Sequence, residues 1–319
     1  MSIAVCLLLY SFAVAILGPP VLMRLTRSSV APRLGVLTWL TATGTVLIAW
    51  TAAGAFLIGD LIRERRRPEE LIGACFTALR QVATGGSGLL LQTGLLILSA
   101  AGTLALTAVL LRLGRALTTT RTRTHRHAEA ARLVGRRIDG CEAVVLDAPQ
   151  RAAYCVAGRP HTIVITSAAL AALDERHLAA VIEHERAHLA GHHHQILAFI
   201  HGVTAVAPKM KLFSAGAQEI ARLVEMSADH HASRLHGTTT LLEALIALTT
   251  SSPIPHGAMG ATGGSVLARA QRLAAPPTPA ARWRGRMLLT LASVVTVGGL
   301  LVAGGLAVAG LALCNLTIV

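Results

Sequence analysis

Two imidazoles and a carboxylate stand close together in His184-Glu185-Arg186-Ala187-His188. On a helix, His184 and His188 fall about one turn apart on one face, so both can reach a single metal ion. Glu185 is rotated by about 100° from His184, which lets its carboxylate lie beside the metal, where a bound water would sit. Neutral imidazoles suit Zn²⁺, the metal acidifies its water, and a carboxylate removes the proton. These residues predict metal-assisted peptide hydrolysis, with His184 and His188 as ligands and Glu185 as general base.

Two residues compete to complete the ligand set. His194 follows Gly191 at the spacing His184-Glu185-x-x-His188-x-x-Gly191-x-x-His194, which literally matches the extended metzincin pattern. Glu225, in Glu225-Met226-Ser227-Ala228-Asp229, instead gives a gluzincin site: Glu225 binds the metal, and Asp229, four residues on and on the same helical face, orients a ligand histidine. A metzincin also needs a methionine turn, and of the nearest candidates, Met210 and Met226, the second sits inside the predicted glutamate helix. The run His192-His193-His194 reads as a polar helix end. Glu225 is the preferred third ligand.

The elements that must position these groups are legible in outline. Asp174 is a candidate N-cap, followed by apolar residues at helical spacing, and Gly191 gives a C-terminal stop. The motif therefore lies in a predicted helix of about four turns. Ala143–Leu146, Ala153–Ala157 and Thr162–Thr166 read as short strands separated by turn residues, within a soluble region from about Ala128 to Ala281.

This order of strand, HExxH helix and Glu225-x-x-Ala228-Asp229 resembles the membrane zinc peptidases of the BlaR/MecR type, gluzincins related to the HtpX and CAAX-prenyl-protease group. The resemblance covers roughly residues 140 to 275. It implies an α-helical membrane protein with a small α+β zincin-like metallopeptidase domain, and Zn²⁺ as cofactor. It also implies a protein or peptide substrate held extended against an edge strand at Tyr154 to Ala157, with Tyr154 and Val156 as substrate-binding residues; the equal alternative is that Tyr154 simply packs. A BlaI-like transcriptional repressor is the natural partner on this resemblance. The chain is expected to lack the penicillin-binding sensor domain that follows the fourth span of those receptors. An oxyanion donor is also needed; His256, Arg269, Arg272, His231 and Tyr154 are candidates among which the sequence does not choose.

Composition places the chain in a membrane. Hydrophobic residues are 53% and charged residues only 14%, mean hydropathy is +0.59, and four stretches can each span a bilayer: Ile3–Met23, Val36–Ile58, Gly88–Leu111 and Met287–Leu313. Ile196–Ala207 is too short and reads as a core or membrane-surface helix. No Lys or Arg precedes Ala13-Val14-Ala15, so the first stretch reads as a retained anchor rather than a signal peptide. The expected division is 1–113 for three spans, 114–281 for a cytoplasmic peptidase domain, and 282–319 for a fourth span and short C-terminus. Arginines from Arg112 to Arg137, and Arg282, Arg284 and Arg286, put both flanks of that domain on the cytoplasmic side. Arg63, Arg65, Arg66, Arg67 and Arg80, in the predicted outer loop, run against this assignment.

The net charge of +13 does not indicate direct nucleic-acid binding, because the arginines cluster at membrane edges, where they can meet anionic lipid headgroups, and aromatic residues are only 3%. Arginine and alanine richness suggests a GC-rich bacterial genome. No CxxC pair exists, so Cys6, Cys75, Cys141, Cys155 and Cys314 are expected to pack as small apolar residues. Two functions remain: a membrane zinc endopeptidase acting on a cytoplasmic regulator or membrane protein, and a signal transducer that binds zinc and partners without proteolysis.

Overall fold

The structure, a computed structural model, describes residues 3–65, 128–137, 143–156, 160–249 and 263–316, with scattered helical positions between 104 and 126. The expected third span Gly88–Leu111 and the loop from Arg63 to Arg80 lie largely outside the described residues, and Cys75, Cys141, Ala157 and His256 wholly so. The chain divides into two compact units. One is Met1–Val21, Leu40–Arg112 and Leu291–Val319; the other is Leu22–Trp39 and Leu113–Thr290.

Among the described residues, three helices are long and apolar enough to cross a membrane, as expected of a membrane protein: α1 (Ile3–Thr26), α2 (Pro32–Arg65) and, last in the chain, α9 (Pro279–Leu316). In the first unit, Ile3, Ala4 and Leu7 of α1 pack on Ala49 and Ala53 of α2, and Trp50 donates to Ser11 Oγ at 3.1 Å. Tyr10 donates to the Thr296 carbonyl of α9. A methyl at Gly299 would lie 2.7 Å from the Tyr10 ring, so the missing side chain is what admits the tyrosine; small residues do this wherever helices pack closely in lipid. Leu9, Phe12, Leu17, Val295 and Leu301 remain exposed, as lipid-facing side chains would be.

The second unit is built on a four-stranded sheet. Strands β1 (Arg136–Arg137), β2 (Ala143–Leu146), β3 (Ala153–Val156) and β4 (Thr162–Thr166) lie in the order β1-β2-β4-β3. β2 and β4 are parallel, while β1 and β3 run antiparallel to their neighbours. β4 reads Thr-Ile-Val-Ile-Thr and is buried along its whole length, because both faces are covered. Ile163 and Ile165 meet Ile182 on one side, and Val164 meets Ala128 and Ala131 of a helical turn on the other. Burying each such side chain contributes about 1.5–3 kcal/mol.

The sheet is accompanied by helices α3 (Ser167–Ala172), α4 (Glu175–Ala190), α5 (His193–Val206), α6 (Lys211–His236), α7 (Thr238–Thr249) and α8 (Gly263–Ala274). Thr166 and Asp174 accept from the Ala169 and His177 N–H groups, starting α3 and α4. α4 ends at Gly191, as its sequence predicts, but Gly191 is not left-handed (φ −80); that conformation falls on His192 (φ 50). The short apolar segment is helix α5.

α6 is anchored to the turn between α1 and α2. Arg222 pairs with Glu219 and donates to the Thr26 carbonyl at 2.9 Å and to Ser29 Oγ, while Thr26 Oγ1 donates to Glu219 at 2.6 Å. Ser29 holds a positive φ of 49, a conformation that costs a non-glycine residue about 1 kcal/mol or more and that these bonds fix.

Candidate metal centre

Helices α4 and α6 bring His184, His188 and Glu225 together. One ligand atom from each lies within 4.8 Å of the others. The two Nε2 atoms face one another at 3.1 Å, and Glu225 places Oε2 at 3.7 Å from His184 Nε2 and Oε1 at 3.5 Å from His188 Nε2. Two nitrogens bound tetrahedrally at about 2.05 Å would stand about 3.3 Å apart. Two imidazoles and a carboxylate at this spacing therefore fit a divalent metal, with a fourth position left for water or substrate.

Each ligand is steered from behind. His184 Nδ1 lies 3.1 Å from Asp229 Oδ1, the contact expected from the Glu225/Asp229 spacing, although the ring is not aligned for a hydrogen bond. Asp229 is fixed in turn by Arg269 of α8, whose Nε and Nη2 donate to its two oxygens at 2.7 Å each. Arg269 Nη1 also reaches Glu225 Oε2 at 3.1 Å. Arginine and both carboxylates thus form one network, in which Arg269 and Asp229 are buried and Glu225 is half-buried.

His188 is backed by His193, whose Nδ1 lies 2.9 Å from His188 Nδ1. If His188 binds metal through Nε2, its Nδ1 carries the proton and donates, so His193 accepts through Nδ1 and is protonated on Nε2. Gly191 makes room: a methyl there would lie 2.4 Å from His193 Nε2. The left-handed His192 turns His193 toward His188 and carries His194 elsewhere, beside the rings of His161 and His192. His194 is not in the ligand cluster. Met226 is on helix α6; Met210 immediately precedes that helix and closes a turn onto the Ala207 carbonyl at 3.2 Å.

Electrostatics divide the groups. Burial disfavours a charged His184, but Asp229 and Glu225 outweigh it and lift its pKa to about 9. Burial depresses His188 to about 4 against the pull of Glu225, and depresses His193 to about 4 as well. Burial alone would raise Glu225 and Asp229; the nearby His184, with Arg269 beside both, brings each down to about 2. Burial lifts Glu185 to about 6, against the pull of His184 and with the push of Glu225. A carboxylate with that pKa is mostly ionised at neutral pH yet can hold a proton transiently, as a general base requires.

β3 is the edge strand the sequence predicts, but its two expected substrate residues face away from the metal cluster. Tyr154 and Val156 pack with Val164, Ala128 and Ala131, whereas Ala153 and Cys155 join the cluster containing Ile182 of α4. Alternation decides the backbone as well. The Thr166 N–H donates to the Ala152 carbonyl at 3.0 Å, so Tyr154 and Val156 also turn their backbone groups to β4, and Ala153 and Cys155 turn theirs to the open edge. Cys155 lies beside Glu185; burial and that carboxylate push its thiol upward. Cys6 and Cys155 are free.

The oxyanion candidates separate. Arg269 reaches the cluster, but both of its carboxylate partners hold it. His231 bonds Glu183 at 2.9 Å, and Arg272 donates to the Met226 carbonyl at 3.0 Å. The sequence reading missed the backing role of His193 and the contact of Cys155 with Glu185.

No curated protein and no solved structure matches the chain. The model of Peptidase family M48 matches residues 118–277, a segment holding the sheet, both ligand helices and α8. With half of the chain matched, and a triad able to hold a metal inside the matched half, the protein belongs to peptidase family M48 and is a metallopeptidase.

Proposed function

We propose that the protein is an integral-membrane zinc endopeptidase in which His184, His188 and Glu225 hold Zn²⁺ and Glu185 is the general base. The observation that carries this reading is the approach of two Nε2 atoms and the Glu225 carboxylate around one point, backed by Asp229 and His193. Zinc, when bound, supplies a Lewis acid and lowers the pKa of water. Glu185 takes a proton from the water that attacks the scissile carbonyl, and gives it to the amine nitrogen as the C–N bond breaks. Asp229 and His193 hold the ligand rings; Arg269 keeps both α6 carboxylates ionised.

The substrate adds as an extended strand to the open edge of β3, pairing with the backbone of Ala153 and Cys155. The arginine-rich flanks support a catalytic domain on the cytoplasmic side of a bacterial membrane. The substrate class is a cytoplasmic regulator or membrane protein; the BlaR/MecR likeness of the motifs supports a BlaI-like repressor.

The test is to purify the chain in detergent with zinc and follow self-cleavage and digestion of an unfolded protein. Cleavage by the wild type that is lost in Glu185→Gln, with zinc retained, supports the endopeptidase. Equal cleavage by both refutes the role of Glu185. Zinc binding with silence in both favours the transducer.

A further inference from the structure

The second unit also holds a cavity that shares no residue with the metal cluster. Its volume is about 300 Å³, and it is lined by Arg33, Arg234, Arg272, Arg282 and Arg286, with no Asp or Glu on its wall among the described residues. None of these five arginines has a carboxylate partner among the described residues. Their bonds go to neutral groups: Arg33 Nε to Ser227 Oγ at 3.3 Å, Arg272 Nη1 to the Met226 carbonyl, and Arg282 Nε to the Pro277 carbonyl at 2.9 Å. Arg272 Nε is buried with no acceptor. Burial, and the charges of Arg272, Arg234, Arg282 and Arg33, hold His230 on the same wall below its ordinary pKa.

The backbone adds to this field. Val30 to Leu34 and Thr238 also line the cavity; they are the first turn of α2, with the residues before it, and the first residue of α7. Helix N-termini carry unpaired N–H groups and the positive end of the dipole, which favours anions. Asp229 acts on Arg272 from outside the cavity and Glu183 holds His231, but no described carboxylate lines the cavity itself, so guanidinium groups and helix N-termini converging there leave a site for a phosphate.

Location says where the phosphate comes from. α2 and α9 each leave this cavity by their N-terminal ends and continue as long apolar helices. If both are spans, the cavity sits where a bilayer presents its headgroups. We propose that this pocket binds the phosphate of an anionic phospholipid headgroup, held by Arg33, Arg272, Arg282 and Arg286. The choice of lipid over free phosphate rests on reading α2 and α9 as spans; the pocket does not depend on the peptidase reading, because it contains none of the metal-cluster residues.

The test uses the full chain in neutral detergent, titrated with phosphatidylglycerol, phosphatidylcholine or inorganic phosphate while retained lipid is counted by native mass spectrometry. The expected result is saturable retention of one phosphatidylglycerol and no saturable retention of phosphatidylcholine. Arg282→Gln with Arg286→Gln should weaken retention about fivefold per arginine, or roughly thirtyfold for the pair. Arg136→Gln with Arg137→Gln, on β1, should leave it unchanged. Arg33→Gln is the second variant if the first does not fold, and it should weaken retention about fivefold. Equal loss in the β1 pair would reduce the effect to net charge and overturn the pocket, as would the absence of saturable binding. Displacement by inorganic phosphate at equal concentration would make the ligand free phosphate and overturn the headgroup assignment. Insertion into phosphatidylcholine nanodiscs tests the span reading separately, and Glu185→Gln should bind lipid like the wild type.

Discussion

Asp229→Asn probes the network behind the metal centre. Asp229 is almost fully buried, accepts two bonds of 2.7 Å from Arg269 and stands 3.1 Å from His184 Nδ1. An amide keeps the shape but loses the charge, and turns an NH₂ toward a guanidinium that can only donate. Arg269 would keep Glu225 alone. Breaking a buried pair from one side costs about 3–5 kcal/mol, and losing a group that orients a ligand costs roughly 10–100-fold in metal affinity. The two effects separate in a second variant: Asp229→Asn with Arg269→Met removes the guanidinium that has lost its Asp229 partner, so denaturant stability should recover in part while zinc affinity stays low. The assays are denaturant unfolding in detergent and zinc competition against a chromophoric chelator. Wild-type stability and affinity in Asp229→Asn would refute the reasoning, as would zinc affinity that recovers with stability in the double variant. The same carboxylate predicts acid sensitivity. Its folded pKa, about 2, lies below the ordinary aspartate value of 3.8, so its contribution, on the order of 2 kcal/mol, is present above pH 3.8 and is lost as pH falls toward 2.

Peptidase activity of Glu185→Gln should fall by about 10²–10⁴-fold with zinc retained, and wild-type kcat/KM should decline below about pH 6 as Glu185 protonates; activity flat down to pH 4.5 would contradict this. Gly191→Ala should displace His193 from His188, since its methyl would lie 2.4 Å from the ring. The cost is roughly tenfold in zinc affinity, read by the same competition assay, and unchanged affinity would refute the backing role. Glu225→Ala should abolish stoichiometric zinc by metal analysis, whereas His194→Ala should retain it; the reverse would restore the metzincin-like set. Because His184 titrates at about 9 before metal binds, zinc loading at pH 7 should release about one proton, visible as a buffer-dependent calorimetric enthalpy.

The metal cluster was legible because helical spacing is local. His184 and His188, and again Glu225 and Asp229, repeat at i,i+4, and Asp174 and Gly191 mark the ends of the first helix. What the sequence could not resolve depends on the phase of an element or on distant contacts. Among His192, His193 and His194, only the left-handed turn at His192 decides which ring meets His188. In β3, residue types do not say whether Tyr154 or Cys155 faces α4; the register against β4 does. Arg269 is forty residues from Asp229, and an arginine in an amphipathic run carries no record of its partner. β1, two exposed arginines, has no alternation to detect. The helices containing the spans extend beyond the apolar stretches at one or both ends, because polar and charged flanks such as Arg24 and Arg282 continue a helix without adding hydropathy.

The anchorage of α6 has a mechanical consequence. Glu219 and Arg222 grip the turn that joins α1 to α2, and Glu225 stands one to two helical turns further along the same unbroken helix, a rise of about 9 Å from Glu219. A hydrogen-bonded helix transmits rotation and translation almost without loss over that distance. The turn and the carboxylate therefore move as one lever. Any displacement of the first two helices that tugs on Thr26 and Ser29 is delivered to the one candidate ligand outside the HExxH helix.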